Sequence, residues 1–275
     1  MATIAELTYY PIKGCAGTSP AEMELTGLGP RHDRAFMVVD PDGDHRTQRG
    51  SPHLATIRPD ISADGRSLTL RAPGIQPLDL TPRTDGERRQ VLLFGRTYPA
   101  VDQGEEAAEW MTAALRKPSR LVRVPDDHQR TTSGETPGSA AFADGHAVLV
   151  TSRASLEDLN GRITAAGGEP VPMERFRPNI VVEGWPRPHT EDRVRSMTLG
   201  RARLGYAKLD IRCVVTTVDQ RTGVKAGPEP LRTLARYRRS SQGGVAFGMK
   251  AAVVGTGRVT VGDEVRVDTW AAPQL

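Results

Sequence analysis

Cys213 stands in the string Ile211-Arg212-Cys213-Val214-Val215-Thr216-Thr217-Val218-Asp219. A cysteine beside an arginine at a strand end can have its thiolate stabilised by the neighbouring charge, and a thiolate is a soft ligand for a heavy metal. The plainer reading is an inert thiol in an apolar strand, because free cysteine packs as a small hydrophobe. A second cluster is Arg175-Phe176-Arg177-Pro178-Asn179-Ile180-Val181-Val182. Pro178 holds the chain extended, so Arg177 and Asn179, two apart, would project to one side of a strand beginning there. A guanidinium beside an amide suits an anionic, hydrogen-bonding ligand, whereas the alternative is a surface ion pair and a turn asparagine. The third cluster joins Lys13, in Tyr10-Pro11-Ile12-Lys13-Gly14, to Arg34, in His32-Asp33-Arg34-Ala35-Phe36. On neighbouring strands both could meet one phosphate, unless Arg34 simply pairs with Asp33.

The elements that must position these residues read mostly as strands. The first hundred residues give Ile4–Ile12, Glu22–Thr26, Ala35–Asp40, His45–Gln48, Leu54–Arg58, Ser67–Arg71, Gln90–Phe94 and Tyr98–Val101. Asp42-Gly43 is placed to turn a hairpin between the third and fourth, and such short, turn-separated strands suggest a barrel or sandwich. A helix is predicted over Gly104–Leu115, with Asp102 and Glu105 resembling a capping box and Pro118 ending it. The stretch 126–144 is polar and rich in Gly, Ser, Thr and Pro, which predicts a mobile loop or linker. Beyond it come a strand at His146–Thr151, a helix at Arg153–Thr164 with Ser152 as N-cap, and strands at Asn179–Val182, Ser196–Leu199, Ala202–Ile211, Cys213–Val218, Val245–Val254 and Glu264–Val267. A third helix is predicted over Pro230–Tyr237. The organisation expected is therefore mainly β (α+β): a domain over 1–125, a linker over 126–144 and a second domain over 145–270, with the N-terminal strand able to pack across both.

Composition narrows the function. At 275 residues the chain can bury a core and a pocket. Two cysteines cannot hold an iron–sulfur cluster or a closed zinc site, so any electron-transfer partner would be a separate protein. Of the 37 lysines and arginines 32 are arginine, yet they are scattered among 33 acids and the net charge is only +4. No aromatic-and-basic groove pattern accompanies them, which argues against nucleic acid. No signal peptide and no run of apolar residues long enough to span a membrane is visible, so the expected setting is cytoplasmic, with reduced thiols and no membrane.

Several uncommon strings occur in one order: YPIKG, GLGPRHDRAFMVVD, RGSPHLATI, TSRASLEDLN, RFRPNIVVEG, HTED, IRCVVTTVD, EPLRTLARYR, VAFG and GRVTVGDEV. Together they resemble the two-part MOSC proteins, which join an N-terminal β-barrel domain to a MOSC domain, and most of all the mitochondrial amidoxime-reducing component and its bacterial relatives. The resemblance implies the molybdenum cofactor (Mo-molybdopterin), with Cys213 as protein ligand of the metal and catalytic centre. It also implies a binding set of Lys13, Arg34, Thr151, Ser152, Arg177, Asn179 and Arg212. The implied reaction removes oxygen from nitrogen in small N-hydroxylated or N-oxide substrates, with electrons from a separate donor protein of ferredoxin or cytochrome type. His146 and Asp144 are candidates for the proton donor. The sequence departs from the family pattern where Gly14 replaces a usual serine, Ile211 replaces a frequent serine, and Met249-Lys250 follow VAFG in place of an aromatic; these changes would reshape the pocket. Two other classes share the cysteine: a sulfur carrier or cofactor-handling protein with a Cys213 persulfide, and a binding module without turnover.

Overall fold

The computed structural model describes residues 1–241 and 243–272. Strands are numbered in chain order. The largest sheet has seven of them, ordered β1 (Thr3–Leu7), β14 (Ile180–Glu183), β13 (Val148–Ser152), β17 (Val245–Gly255), β16 (Ala202–Arg212), β15 (Val194–Leu199) and β19 (Val265–Trp270). Its two edge strands meet: Thr3 bridges Glu264, Ile4 N–H donates to Asp263 O at 2.9 Å, and Val265 N–H donates to Ala2 O at 2.8 Å. The sheet therefore curls into a barrel, which removes the exposed edges that an open sheet would leave. Its interior is filled by alternate apolar residues, among them Ile4, Val150, Ile180, Met197, Leu204 and Met249.

β13 and β14 are parallel and are joined by helix α2 (Arg153–Ala165), capped by Ser152 as expected: its Oγ accepts from Ser155 N–H at 3.2 Å. A four-stranded sheet, β4 (Phe36–Val39), β10 (Arg120–Arg123), β9 (Arg96–Asp102) and β8 (Arg88–Leu93), forms the other half with helix α1 (Glu105–Leu115). Beside it lie β5 (Arg58–Ile61), β6 (Leu68–Ala72) and β7 (Ile75–Leu80), around a core holding Phe36, Leu54, Leu70, Met111 and Leu121. The halves are laced together. β2 (Glu22–Thr26) pairs with both β3 (Gly29–Pro30) and β18 (Gly257–Thr260), so a strand early in the chain sits beside one near its end. Helix α3 (Leu231–Tyr237) packs near β17.

Several expectations are corrected. Residues 52–56 form a 3-10 turn, led by Pro52, and the strand begins only at Arg58. The hairpin after Asp42-Gly43 closes by a single bridge, Val39 to His45, because Gln48 turns inward and its Nε2 donates to Gly14 O at 2.7 Å. The stretch 126–144 is packed: β11 (Thr131–Thr132) pairs with β12 (Gly138–Ser139), and Ala140, Ala141, Phe142 and Ala143 are buried. Asp102 is not the cap of α1, because the helix starts at Glu105 with Gly104 at the N-cap; Asp102 Oδ1 instead accepts from Gly104 N–H at 2.8 Å, while Oδ2 pairs with Arg89 at 2.5 Å and Arg120 at 2.6 Å.

The cap of α2 also carries a buried acid. Ser152 Oγ donates to Glu191 Oε2 at 3.0 Å, and Ser155 Oγ to Oε1 at 2.7 Å. Burial first, then the adjacent Asp192, pushes the fully buried Glu191 up to about 7 from the ordinary 4.5. A raised carboxyl favours the folded state at low pH, and that contribution disappears as pH rises from 4.5 through about 7. Comparing denaturant midpoints at pH 5 and pH 8, Glu191→Gln is expected to remove on the order of 3 kcal/mol of this pH dependence. An unchanged difference between the two midpoints would refute the assignment.

Candidate functional site

A cavity of about 540 Å³ opens where the halves meet, within the usual size of a small-ligand site. Cys213 lies on its wall, partly exposed and free, immediately after β16. The expected strand over Cys213–Val218 is instead a 3-10 turn over Val214–Thr217. Two hydroxyls explain the change: Thr216 Oγ1 donates to Cys213 O at 2.9 Å and Thr217 Oγ1 to Val214 O at 2.8 Å, the local bonding that competes with strand pairing. The turn fixes the cysteine backbone at the cavity wall. Arg49 from the other half lies against its sulfur, and that contact raises the Arg49 pKa. Cys15, by contrast, is wholly buried, and burial pushes its thiol up to about 12.

Arg34 and Arg177 stand on opposite segments with Tyr10 shared between them. Each guanidinium carbon lies 4.2 Å from the Tyr10 ring centroid, a cation–π distance. Both residues have positive φ, 47° and 55°, which few non-glycine residues adopt and which aims the two side chains at one ring. Arg34 is held by Asp33, whose Oδ2 accepts from Nη1 at 2.6 Å; Arg177 Nη2 donates to Cys15 O at 2.7 Å. Burial raises the Asp33 carboxyl, while Arg34 and the hydrogen bonds from Tyr10 and Asn179 oppose that rise.

Asn179 reaches the cavity wall, but its amide is saturated within the protein. Nδ2 donates to Thr8 O and Asp33 Oδ1, both at 3.1 Å, while Oδ1 accepts from Leu149 N–H at 3.1 Å and Arg34 at 3.2 Å. That exhausts two donors and two acceptors, so Asn179 positions Arg34 and has nothing left for a ligand. Arg212 Nη2 donates to Phe176 O at 2.8 Å and Nη1 pairs with Asp210, yet its buried Nε–H has no partner among the described residues. Lys13 is buried, donates to Phe142 O at 2.9 Å and pairs with Asp144; burial lowers its pKa against the pull of Asp144.

Thr151 and Ser152 are elsewhere. Both are fully buried at the end of β13 that runs away from the cavity, Thr151 Oγ1 donating to Met173 Sδ and Ser152 serving α2 and Glu191. The lining comes instead from the approach to that strand, Asp144, Gly145 and His146. Burial, then Lys208, lowers His146 to about 4, so it is neutral at pH 7. Met249 and Lys250 separate as alternate strand residues must: Met249 enters the barrel core and Lys250 faces the cavity. Gly14 turns with φ +83°, and Ile211 lines the wall 40% exposed. Arg49, Arg130, Lys208 and Asp210 also line the cavity and were not among the expected site residues. Their signal was weak, because isolated charges, whether on a strand like Lys208 and Asp210 or in a loop like Arg49 and Arg130, read as solvated surface. Among the described residues no group of three His, Cys, Asp or Glu side chains could hold a metal ion, so a metal here would need further ligands from a cofactor.

Family models for the MOSC N-terminal beta barrel domain and the MOSC domain match residues 1–118 and 137–266 respectively. The chain belongs to the MOSC family. This MOSC protein is 34% identical to mitochondrial amidoxime-reducing component 1 of Mus musculus, over 96% of the chain and 81% of the relative. It is 35% identical to mitochondrial amidoxime reducing component 2 of Rattus norvegicus, over 96% and 82%. It is also 29% identical to the molybdenum cofactor sulfurase of Oryza sativa, over 90% of the chain but only 32% of that longer protein.

Replacing Asn179 by the similarly sized leucine strands two donors' partners and two acceptors' partners in the interior of the MOSC protein. The expected cost is about 2–4 kcal/mol, read from the urea midpoint. A loss below about 0.5 kcal/mol, the scale of an ordinary surface change, would show that the amide network is dispensable.

Proposed function

We propose that the cavity holds the molybdenum cofactor with Cys213 as the protein ligand of the metal, and that the chain is a reductase of small N-hydroxylated or N-oxide compounds. The observation that carries this reading is the meeting, in one cavity, of the accessible cysteine and the Arg34–Tyr10–Arg177 stack. The residues fit the group. Paired guanidiniums suit a phosphate, the unpartnered Nε–H of Arg212 suits a further acceptor, and the exposed thiol suits a soft metal. Similarity to two amidoxime-reducing components supports the substrate class.

When bound, the cofactor supplies two-electron oxygen-atom chemistry at nitrogen. The chain's own part is to bind and orient. Arg34 and Arg177 neutralise phosphate in a partly desolvated cleft, where a charge pair is stronger than on a wet surface. Asp33 and Asn179 lock Arg34 in place, and the Thr216 and Thr217 hydroxyls fix the loop that presents Cys213. Arg49 lies beside the sulfur and adds a guanidinium to the wall that presents it. Electrons would come from a separate ferredoxin- or cytochrome-type protein, and the setting we propose is cytoplasmic.

Protein made in a host that synthesises the cofactor is expected to contain stoichiometric molybdenum by mass spectrometry and to reduce benzamidoxime with an artificial donor. Cys213→Ala is expected to lose both. Arg177→Ala is expected to lower molybdenum occupancy by roughly tenfold or more, in line with loss of a positioned charge. Absence of molybdenum from the unaltered protein, with sulfane sulfur on Cys213, would replace the reductase by a sulfur carrier, the reading favoured by the partial match to the sulfurase.

A further inference from the structure

The cavity carries more positive charge than a single phosphate needs. Ten lysine and arginine side chains line it, and among the described lining residues the carboxylates are Asp144 and Asp210. Both are committed: Asp144 to Lys13, and Asp210 to Arg212 and, at 2.8 Å, to Lys250.

The surplus is concentrated on one wall. In the β16–β17 register Lys208 stands directly opposite Lys250, and of the two like charges only Lys250 meets an acid, Asp210, which it shares with Arg212. Arg130 adds a third cation. It is 6% exposed, and its guanidinium donates to the carbonyls of Ala141 at 2.5 Å and Ala143 at 2.8 Å. Among the described residues no carboxylate pairs with Lys208 or Arg130. The three charges act on one another: burial first, then the neighbouring cations Lys250 and Arg130, lowers the pKa of Lys208. Burial likewise lowers Lys250 to about 8. Gly145 lies against this wall: a Cβ there would come 3.0 Å from Lys250 Nζ. Lys208 is exposed and Lys250 half-buried, so the wall runs from the rim inward, towards Cys213 on the same lining. The Arg34–Tyr10–Arg177 stack is built from other segments and needs neither lysine.

We propose that Lys208, Lys250 and Arg130 form a recognition arm for an oxyanion on the substrate, so that this chain prefers N-oxygenated compounds carrying a carboxylate to neutral ones. The proposal rests on the reductase reading for the word substrate, but the arm itself is a binding statement. A carboxylate at the rim would bring an opposite charge to Lys208 and Arg130, which have no acid of their own, beside a Lys250 that shares Asp210 with Arg212, and would leave the far end of a small molecule directed inward. The same surplus could instead serve the cofactor's phosphate, and the test separates the two.

The probes are 4-carboxybenzamidoxime and neutral benzamidoxime, titrated calorimetrically into the protein as purified from a cofactor-producing host. The expected result is at least roughly tenfold tighter binding of the carboxylate, as a charge-assisted contact in a partly buried site provides. The ratio should fall towards unity in Lys208→Met and Lys250→Met. Because Lys208 is exposed, the first variant tests the idea even if the second fails to fold. Equal affinities in the unaltered protein would overturn the proposal. Loss of molybdenum from Lys208→Met would also overturn it, assigning the lysines to the cofactor. Preference for the carboxylate without reduction of either probe would leave the arm standing and remove the reductase; reduction of both with equal KM would do the reverse.

Discussion

The amide of Asn179 joins stretches of chain that lie far apart in sequence. Its side chain ties the carbonyl of Thr8 to the carboxylate of Asp33, the guanidinium of Arg34 and the backbone N–H of Leu149. Its backbone repeats the link, Thr8 N–H donating to Asn179 O and Asn179 N–H to Leu149 O, both at 2.9 Å. This buried knot decides where β1 and the turn before β4 sit relative to β13 and β14. Tyr10 and the two arginines that flank it then follow, because each is within two residues of a member of the knot. The cavity is a consequence of how those strands leave it.

Charge shapes the rest of the site. Buried or partly buried cations are tolerated where a carboxylate, a carbonyl or an aromatic face receives them. Lys13, Arg34 and Arg212 meet Asp144, Asp33 and Asp210; Arg177 meets a carbonyl and the Tyr10 ring. The cavity has exhausted its acids at that point, and what remains positive faces the open volume.

The sequence was informative where periodicity or an unusual residue type forced the outcome. The β-rich architecture, the three helices and the Ser152 cap were all legible, because alternation and capping are local. So was the cavity itself through Cys213, Lys13, Arg34, Arg177 and Arg212, which several ordered motifs bring together. It failed where side chains far away in sequence decide the backbone. Nothing local at Val214 announces that two threonine hydroxyls will replace a strand by a turn. Nothing at Asp102 says that arginines 13 residues before and 18 after will share its carboxylate with the start of the helix. Thr151 and Ser152 were named for the cavity on motif order alone; strand direction carries them past it. β7 and β18 were missed because Gln76, Pro77 and Asp79 break one alternation and the other strand has only four residues.

The lacing of the halves bears on how the chain is made. β1 and β2 leave the ribosome well before their partners, since β1 pairs with residues near 180 and bridges Glu264, and β2 pairs with residues 257–260. Contacts of such sequence separation must wait for nearly the whole chain and pay a large loop-closure entropy, which slows folding. Until then the nascent protein exposes unpaired strand edges, the surfaces through which chains aggregate.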